Sequence, residues 1–265
     1  RYDHFNELTG KGRPFRTNSL VSDSKFVPRA GVVYLIDPAW SVYTSYTESF
    51  RPNTSIANAI GDLPPEEGKS WELGSKWQDA QLTATVALFN IDKQNVLTSQ
   101  TDTATGDTLY RVAGRVRSRG LESEINGDLG DNWSGYASYA YTDAEVTKDT
   151  TYQGMRLQNV AKNSGSLSAV YDFGSIVGGD KLRVGAGARY VGERAGDALN
   201  DFDLPGYTVA DAFATYDTKV EGQKVKFQVN VKNLFDRTYY TSAASRTFVS
   251  IGDARQLTFS STLEF

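Results

Sequence analysis

The chain has 265 residues, a formal net charge of −4 and a hydrophobic content of 39%. This length allows one large domain or two small ones, and the charge gives no basic surface of the kind that binds nucleic acid. The chain has no cysteine, which excludes a disulfide framework, a thiolate zinc site and a cysteine nucleophile. Its single histidine, His4, leaves little basis for histidine-dependent metal binding or base catalysis. The longest apolar run, Gly31 to Ile36, is far shorter than the roughly 20 residues of a membrane-spanning helix.

Apolar and polar side chains alternate along many segments, which is the pattern of a two-faced β-strand. Val225, Phe227 and Val229 alternate with lysine, glutamine and asparagine, and the last residues of the chain alternate in the same way up to Phe265. No segment has a helical stripe of useful length. The pattern predicts about twelve strands, near 1–8, 25–37, 40–49, 69–78, 81–93, 108–127, 132–144, 163–173, 181–192, 207–217, 224–232 and 255–265.

The connections between these strands alternate in length. Short connections lie near 37–39, 78–80, 128–131, 174–180 and 218–223, and long ones near 9–24, 50–68, 94–107, 145–162, 193–206 and 233–254. A soluble sandwich has no reason to lengthen every second connection, whereas a transmembrane barrel has short periplasmic turns and long extracellular loops. The sequence therefore favours an all-β, transmembrane antiparallel β-barrel over a soluble all-β protein.

In such a barrel the polar faces line a wet lumen and the apolar faces meet lipid, where a mid-bilayer Arg or Lys costs roughly 2–4 kcal/mol. Aromatic residues lie near the predicted strand ends, as in the girdles of membrane proteins: Trp40, Trp71, Trp77, Trp133 and Tyr190. If the last strand ends in the periplasm, the segment 233–254 is the last extracellular loop.

One strand conflicts with this assignment of faces. Arg115, Arg117 and Arg119 share the parity of Leu121, which is expected to face lipid. Either Gly120 marks a bulge that reverses the two faces, or the arginines lie above the bilayer.

Several ordered motifs resemble those of TonB-dependent outer-membrane receptors. The stretch V-K-N-L-F-D-R-T-Y-Y and the ending V-S-I-G-D-A-R-Q-L-T-F-S-S-T-L-E-F are similar to the family's N-L-F-D-x-x-Y motif, its G-x-P-R motif and its terminal strand ending in Phe. Here Gly252-Asp253-Ala254-Arg255 lacks the usual Pro. Further similar stretches run over nearly the whole chain: Pro65 to Trp77, Arg117 to Glu124, Leu204 to Asp211, and Ser41 to Pro52, the last fitting the ferric-siderophore branch best.

The resemblance implies a 22-stranded barrel with an N-terminal plug that binds TonB through a short box. Residues 1–265 resemble the C-terminal half of such a receptor, about its last twelve strands, as a single domain without the plug or the TonB box. The chain opens at Arg1 inside a predicted strand with no visible signal peptide, so we expect a fragment of a longer receptor. Twelve strands alone leave two unpaired edges, which lipid does not tolerate, so the isolated piece is not expected to form a stable monomeric pore.

The same resemblance implies a receptor that binds a ferric siderophore, or another iron chelate or cofactor, and carries it across the bacterial outer membrane into the periplasm. The implied partners are the ferric siderophore, TonB through the missing plug, outer-membrane lipid and lipopolysaccharide, and the barrel-assembly machinery through the strand ending at Phe265. No nucleic-acid partner, resident cofactor, metal site or catalytic residue is expected.

Ligand contacts are expected from the outward loops and the upper lumen. A ferric siderophore is a bulky and often anionic chelate, for which aromatic rings supply stacking area and Arg supplies charge with bidentate hydrogen bonding. The candidate ligand-binding residues are Phe50, Arg51, Tyr110, Arg111, Tyr152, Arg156, Tyr240, Arg246 and Phe248.

Other conspicuous residues are interpreted as structural. Asn233 and Asp236 of the N-L-F-D stretch end a strand, where their side chains can bond nearby backbone groups, while Leu234 and Phe235 pack at the membrane boundary. The charged residues Glu72, Lys76, Glu122 and Glu124 form a polar network in the lumen, without a nucleophile or base for acid–base catalysis. His4 is interpreted as a solvated strand residue.

Two other function classes remain open at this point. Twelve is an even number of strands that could close by itself, as in an outer-membrane phospholipase, but that enzyme needs a Ser–His pair and His4 is the only histidine. A passive pore or an autotransporter translocator would need a constriction loop or a lumenal helix, and the sequence indicates neither.

Overall fold

A computed structural model describes residues 1–14, 16–53, 63–101 and 108–264. Almost all regular structure in these ranges is β-strand, and no helix found there is both long and apolar enough to span a membrane. The strands are β1 (Tyr2–Lys11), β2 (Arg16–Phe26), β3 (Arg29–Leu35), β4 (Trp40–Arg51), β5 (Glu66–Gln78), β6 (Leu82–Thr101), β7 (Thr108–Gly130), β8 (Trp133–Lys148), β9 (Asn163–Ser175), β10 (Lys181–Val191), β11 (Arg194–Ala195), β12 (Asp203–Leu204), β13 (Tyr207–Val220), β14 (Gln223–Lys232), β15 (Tyr240–Ser245), β16 (Phe248–Ile251) and β17 (Gln256–Glu264).

Eleven strands form one antiparallel sheet in the order β17-β14-β13-β10-β9-β8-β7-β6-β5-β4-β3. Apart from the short strands within connections, sequence neighbours are spatial neighbours, so the chain runs up and down through the sheet. β1 pairs with β2. β2 ends at Phe26 and β3 begins at Arg29, and the break between them contains Pro28, which has no backbone N–H to donate to a neighbouring strand. Counting β2 and β3 as one interrupted strand gives the predicted number of long strands.

Two of the predicted long connections are wrong in extent. β1 runs to Lys11 and β2 begins at Arg16, so most of the predicted loop over 9–24 is an extended hairpin. β6 likewise continues to Thr101 and pairs with β7 from Thr108 onward. The added lengths, past residue 8 on β1 and past residue 93 on β6, project beyond the apolar part of the sheet, so their sequence has no two-faced pattern to show that they are strands. The remaining predicted loop residues 54–62 and 102–107 lie outside the described part of the chain.

The short connections fall where the sequence predicts them, and aspartate side chains close several of them. The Oδ1 atom of Asp79 accepts the backbone N–H groups of Gln81 and Leu82 at 2.7 and 2.8 Å. These two bonds hold the pKa of Asp79 below its usual range. Asp37 makes the same pair of bonds in its own turn, and Asp128 and Asp172 each accept one. Because the strands run alternately up and down through the sheet, the short turns lie at one end of it and the long connections at the other.

The register brings the apolar residues of neighbouring strands onto one face. Val229 lies opposite Phe259 on β17 and Ala214 on β13, and Phe227 stacks on Phe259 with ring centroids 6.1 Å apart. Large apolar side chains on this face are well exposed, as in Phe259, 65% of whose surface is accessible. The alternate residues, such as Gln228, make up a polar face. Both faces have the composition that the sequence predicts for lipid on one side and water on the other.

The conflict over the arginines is resolved by the pairing of β7. Gly120 lies opposite Phe89 and Thr142 in an uninterrupted register, so it marks no bulge. Arg117 and Arg119 therefore share the apolar face, but they lie beyond the apolar band on the side of the long connections. They are ion-paired there with Glu145 and Asp143 of β8. The second alternative, arginines at the strand end beyond the apolar band, is the one that the register supports.

Candidate ligand-binding surface at the long-loop end

Three of the long connections pack against one another at one end of the sheet, and together they are named the three-loop cap: residues 149–162, 192–206 and 233–255. The first two are joined by reciprocal bonds between Arg156 and Asn200, whose side-chain oxygen accepts the Arg156 N–H at 2.8 Å and whose amide donates to the Arg156 carbonyl at 3.1 Å. An ion pair between Arg156 and Asp203 adds to this junction at 2.5 Å. The cap is therefore a folded surface and not a set of separate loops.

The first connection is anchored by a small apolar cluster. Tyr152 is only 7% exposed and packs with Val116 and Val146, the latter two on the long ends of β7 and β8. Met155 and Leu157 cover the cluster from the same connection. Burial of this kind stabilises the fold of the connection, and it removes the Tyr152 ring from the surface that a ligand could reach.

Arg194 ties the second connection to the third. It is 3% exposed, and its Nη2 atom donates to the Tyr240 carbonyl at 2.6 Å. The guanidinium lies over the Tyr207 ring at 5.3 Å, a cation–π contact, and the Tyr239 ring lies 4.7 Å beyond Tyr207. A Cβ on Gly252 would come within 2.1 Å of the Tyr239 ring, so the glycine of the G-D-A-R stretch is needed for this packing.

The N-L-F-D stretch has the structural role that its sequence predicts. Asn233 is 4% exposed and has a φ of 49°, a left-handed conformation that Asn tolerates well. Its amide donates to the carbonyls of Arg237 and Asp253 at 2.8 and 3.0 Å, and its side-chain oxygen accepts the Arg237 N–H at 2.9 Å. Asp236 accepts the N–H of Arg255 at 2.9 Å. The two side chains join the start of the last connection to its end.

Three of the predicted ligand residues lie on the third connection. Phe248 is 70% exposed on the hairpin of β15 and β16, and Tyr240 is 36% exposed at the base of that hairpin. The Arg246 guanidinium, at the hairpin tip, donates to the Asp201 carbonyl at 2.8 Å and lies 5.4 Å from the Phe202 ring centroid. Arg156, from the first connection, belongs to the same cap through its contacts with the second.

The other predicted ligand residues lie apart from the cap. Arg51, at the end of β4, is ion-paired with Glu66 at 3.7 Å and keeps most of its side chain exposed. The Phe50 ring lies 5.6 Å from that of Phe5. Tyr110 and Arg111 lie on the long end of β7, where their backbones pair with Ser99 and Thr98 of β6. The Arg111 side chain is outside the described part of the chain.

The predicted polar network lies on the polar face of the sheet. The Tyr43 hydroxyl donates to Glu72 at 2.6 Å, and Glu122 and Glu124 line the same recess in that face. Lys76 extends the polar face along β5. His4 lies on exposed β1, where its Nε2 atom is 3.2 Å from the Asn6 amide. This arrangement is that of a wet inner wall.

Several residues of the cap are not among the sequence candidates. Within the cap, Phe202 lies under Arg246. At its edge, Arg189 of β10 joins Arg194 at the ring of Tyr207 of β13, at a distance of 5.9 Å from the centroid. Tyr207 could have been found, since it belongs to the L-P-G-Y stretch next to a strand start. The partnership of Arg194 with Tyr240 has no local signal, because the two residues are 46 positions apart.

Comparison with known proteins decides the family. The family model described as "TonB dependent receptor-like, beta-barrel" matches residues 1–234. The chain belongs to this family of TonB-dependent receptors. Members of the family are outer-membrane β-barrels and transport receptors, so the enzyme alternative is set aside. The same membership explains the observed alternation of faces and of connection lengths.

Individual relatives agree with the family assignment. The chain is 39% identical over 260 residues to the metal-pseudopaline receptor CntO of Pseudomonas aeruginosa, covering 96% of this chain and 36% of that protein. It is 35% identical to the ferrichrome outer membrane transporter/phage receptor of Escherichia coli, covering 100% of this chain and 35% of that protein. The solved siderophore receptor PiuA of Acinetobacter baumannii superposes with a TM-score of 0.79 at 29% identity, covering 99% of this chain and 39% of that chain. The chain thus spans little more than a third of these relatives.

Proposed function

We propose that this chain forms the loop-bearing wall of an outer-membrane receptor that binds a ferric siderophore at the three-loop cap. The observation that carries the proposal is the cap itself, whose β15–β16 hairpin carries Arg246 and the exposed Phe248 at its tip and Tyr240 at its base. Aromatic rings and a guanidinium suit a bulky anionic chelate. Relatives whose names specify a siderophore or metallophore ligand support this ligand class.

In the whole receptor the ligand passes from this surface into the periplasm, driven by TonB acting on a plug that fills the lumen. The polar face of the sheet lines that lumen, and the apolar face contacts outer-membrane lipid. Lipopolysaccharide meets the charged rows beyond the apolar band, such as Lys69 and Arg119. The barrel-assembly machinery binds the C-terminal strand, whose last residue, Phe265, lies outside the described residues.

The proposal predicts that alanine at exposed positions of the cap weakens ligand binding. Phe248→Ala removes the most exposed ring of the hairpin and should weaken ferric-siderophore binding roughly tenfold, in line with the loss of one stacked aromatic contact. Arg246→Ala and Tyr240→Ala should weaken it by a similar or larger factor, since a charge-assisted hydrogen bond contributes about 1.5–3 kcal/mol.

The measurement is equilibrium binding of ferrichrome, a ferric catecholate and ferric citrate to the receptor expressed in outer membranes from its complete gene. Arg183→Ala is the matched control, because Arg183 lies on β10 toward the short-turn end. Unchanged affinity in all three cap variants would remove the last connection from the site. Failure of the unaltered receptor to bind any ferric chelate would overturn the proposed ligand class.

A further inference from the structure

The hairpin that presents Arg246 and Phe248 does not belong to the main sheet. β15 and β16 form a sheet of two strands, and an isolated two-stranded hairpin is marginally stable in water. The register of the pair is itself interrupted on both sides of Ala243. The orientation of the hairpin must therefore be fixed by contacts with the rest of the cap.

Arg194 and Arg246 each make one such contact, at the two ends of β15, and two adjacent residues of the first connection hold the middle of the strand. The Asn159 side chain donates to the Ala243 carbonyl and accepts its N–H, both at 2.9 Å, as a neighbouring β-strand would. The Gln158 amide also donates to the Ala243 carbonyl, at 2.8 Å. Ala243 is only 4% exposed, so water has little access to its backbone groups, and an unmade bond there is costly.

The same two residues also hold the second connection. The Asn159 N–H donates to the Ala195 carbonyl and the Gln158 amide donates to the Gly196 carbonyl, each at 2.9 Å. Ala195 is completely buried, which shows how closely the two backbones approach. Asn159 adopts a φ of 64°, a left-handed conformation that favours Asn or Gly. Gln158 and Asn159 thus touch all three connections at one point.

We propose that Gln158 and Asn159 are positioning residues that clamp the β15–β16 hairpin to the other two connections, and so set the orientation in which Arg246 and Phe248 meet the ligand. The consequence for ligand binding rests on the proposed function. The clamp itself is a property of the ligand-free receptor.

The test is hydrogen exchange of the segment 240–251 in the ligand-free receptor, produced from its complete gene. The double variant Gln158→Ala/Asn159→Gly removes the side-chain bonds and keeps a residue that tolerates the backbone angle. Exchange in that segment should become roughly 10- to 100-fold faster, since local opening then breaks fewer bonds. Gln153→Ala, which removes an exposed amide from the same connection, should leave exchange unchanged.

A second variant separates positioning from general structural damage. Asn159→Asp keeps the acceptor for the Ala243 N–H but loses the donor to the Ala243 carbonyl at neutral pH. Protonation of the aspartate restores a donor, so protection of the hairpin should recover as the pH falls through the carboxyl range, which a misfolded cap would not do.

Ferrichrome binding to the same variants tests the consequence. If the receptor binds ferrichrome, the double variant should weaken that binding while Gln153→Ala does not. Equal exchange in the double variant and the unaltered receptor would overturn the clamp, whatever the ligand. Faster exchange in a receptor that binds no ferric chelate would instead support the clamp and refute the proposed function.

Discussion

Val229→Arg should prevent stable insertion of the receptor into the outer membrane. Val229 lies near the middle of β14 on the apolar face, between Ala214 and Phe259. An arginine at the middle of the lipid-facing surface of a barrel costs roughly 2–4 kcal/mol. That cost comes on top of the lost contacts with Phe259. The expected result is a lower free energy of unfolding in lipid vesicles by about that amount, and a smaller folded fraction in cell envelopes.

Gln228→Arg is the matched control, because Gln228 precedes Val229 on the same strand and points to the polar face beside Thr215 and Ser260. A charge on a wet inner wall should change the free energy of unfolding by no more than about 0.5 kcal/mol. The folded fraction is read from the migration shift of unheated samples on gels. An equal decrease in the free energy of unfolding in the two variants, or a larger decrease for Gln228→Arg, would contradict the assignment of the apolar face to lipid and the polar face to the lumen.

Asn233→Ala should destabilise the last connection more than any other single truncation there. The change leaves the backbone groups of Arg237 and Asp253 without the three bonds that Asn233 makes to them. It also places alanine in a left-handed conformation. The combined loss should be roughly 2–4 kcal/mol, measured as a lower temperature at which the purified receptor loses its folded migration.

Two companion variants assign that loss to its causes. Asn233→Gly keeps the backbone angle and should recover only the part due to strain. Asn230→Ala removes the same side chain three positions earlier, where it makes one bond to Gln228, and should cost less than about 1 kcal/mol. If Asn233→Ala were no worse than Asn230→Ala, the N-L-F-D stretch would not hold the start of the last connection to its end.

The faces and the turns could be read from the sequence because their causes are local. A strand between lipid and water must alternate at every residue, so Val225, Phe227 and Val229 indicate their own environment. The short turns are indicated by Asp37 and Asp79, whose carboxylates accept hydrogen bonds from the backbone N–H groups two and three residues ahead. Nothing beyond the segment itself is needed for these predictions.

The extensions of the two hairpins into the predicted loops, and the contacts within the cap, were missed for the opposite reason. Beyond the apolar band both faces of a strand meet water, so the end of β1 after residue 8 and most of β2 lose the alternation that marks a strand. The bonds of Gln158 and Asn159 to Ala243 span 85 and 84 positions, respectively. Nothing in a lone amide indicates such a distant partner. Tyr152 is the clearest example of what the sequence does not show. As an aromatic residue in a long loop it was a candidate for ligand contact, but its ring packs in the apolar cluster under the loop.

The measurement that tests the whole arrangement most directly is labelling of single cysteines on intact cells with a membrane-impermeant maleimide. Residues 1–265 contain no cysteine, so, in a receptor whose cysteines elsewhere are replaced by serine, Thr247→Cys reports the cap and Glu221→Cys reports a short turn. Thr247→Cys should react on intact cells and be slowed by a saturating ferric siderophore, while Glu221→Cys should react only after the outer membrane is permeabilised. If Glu221→Cys reacted on intact cells and Thr247→Cys did not, the short turns would face outward and the three-loop cap would face the periplasm, which contradicts a receptor that binds its ligand outside the cell.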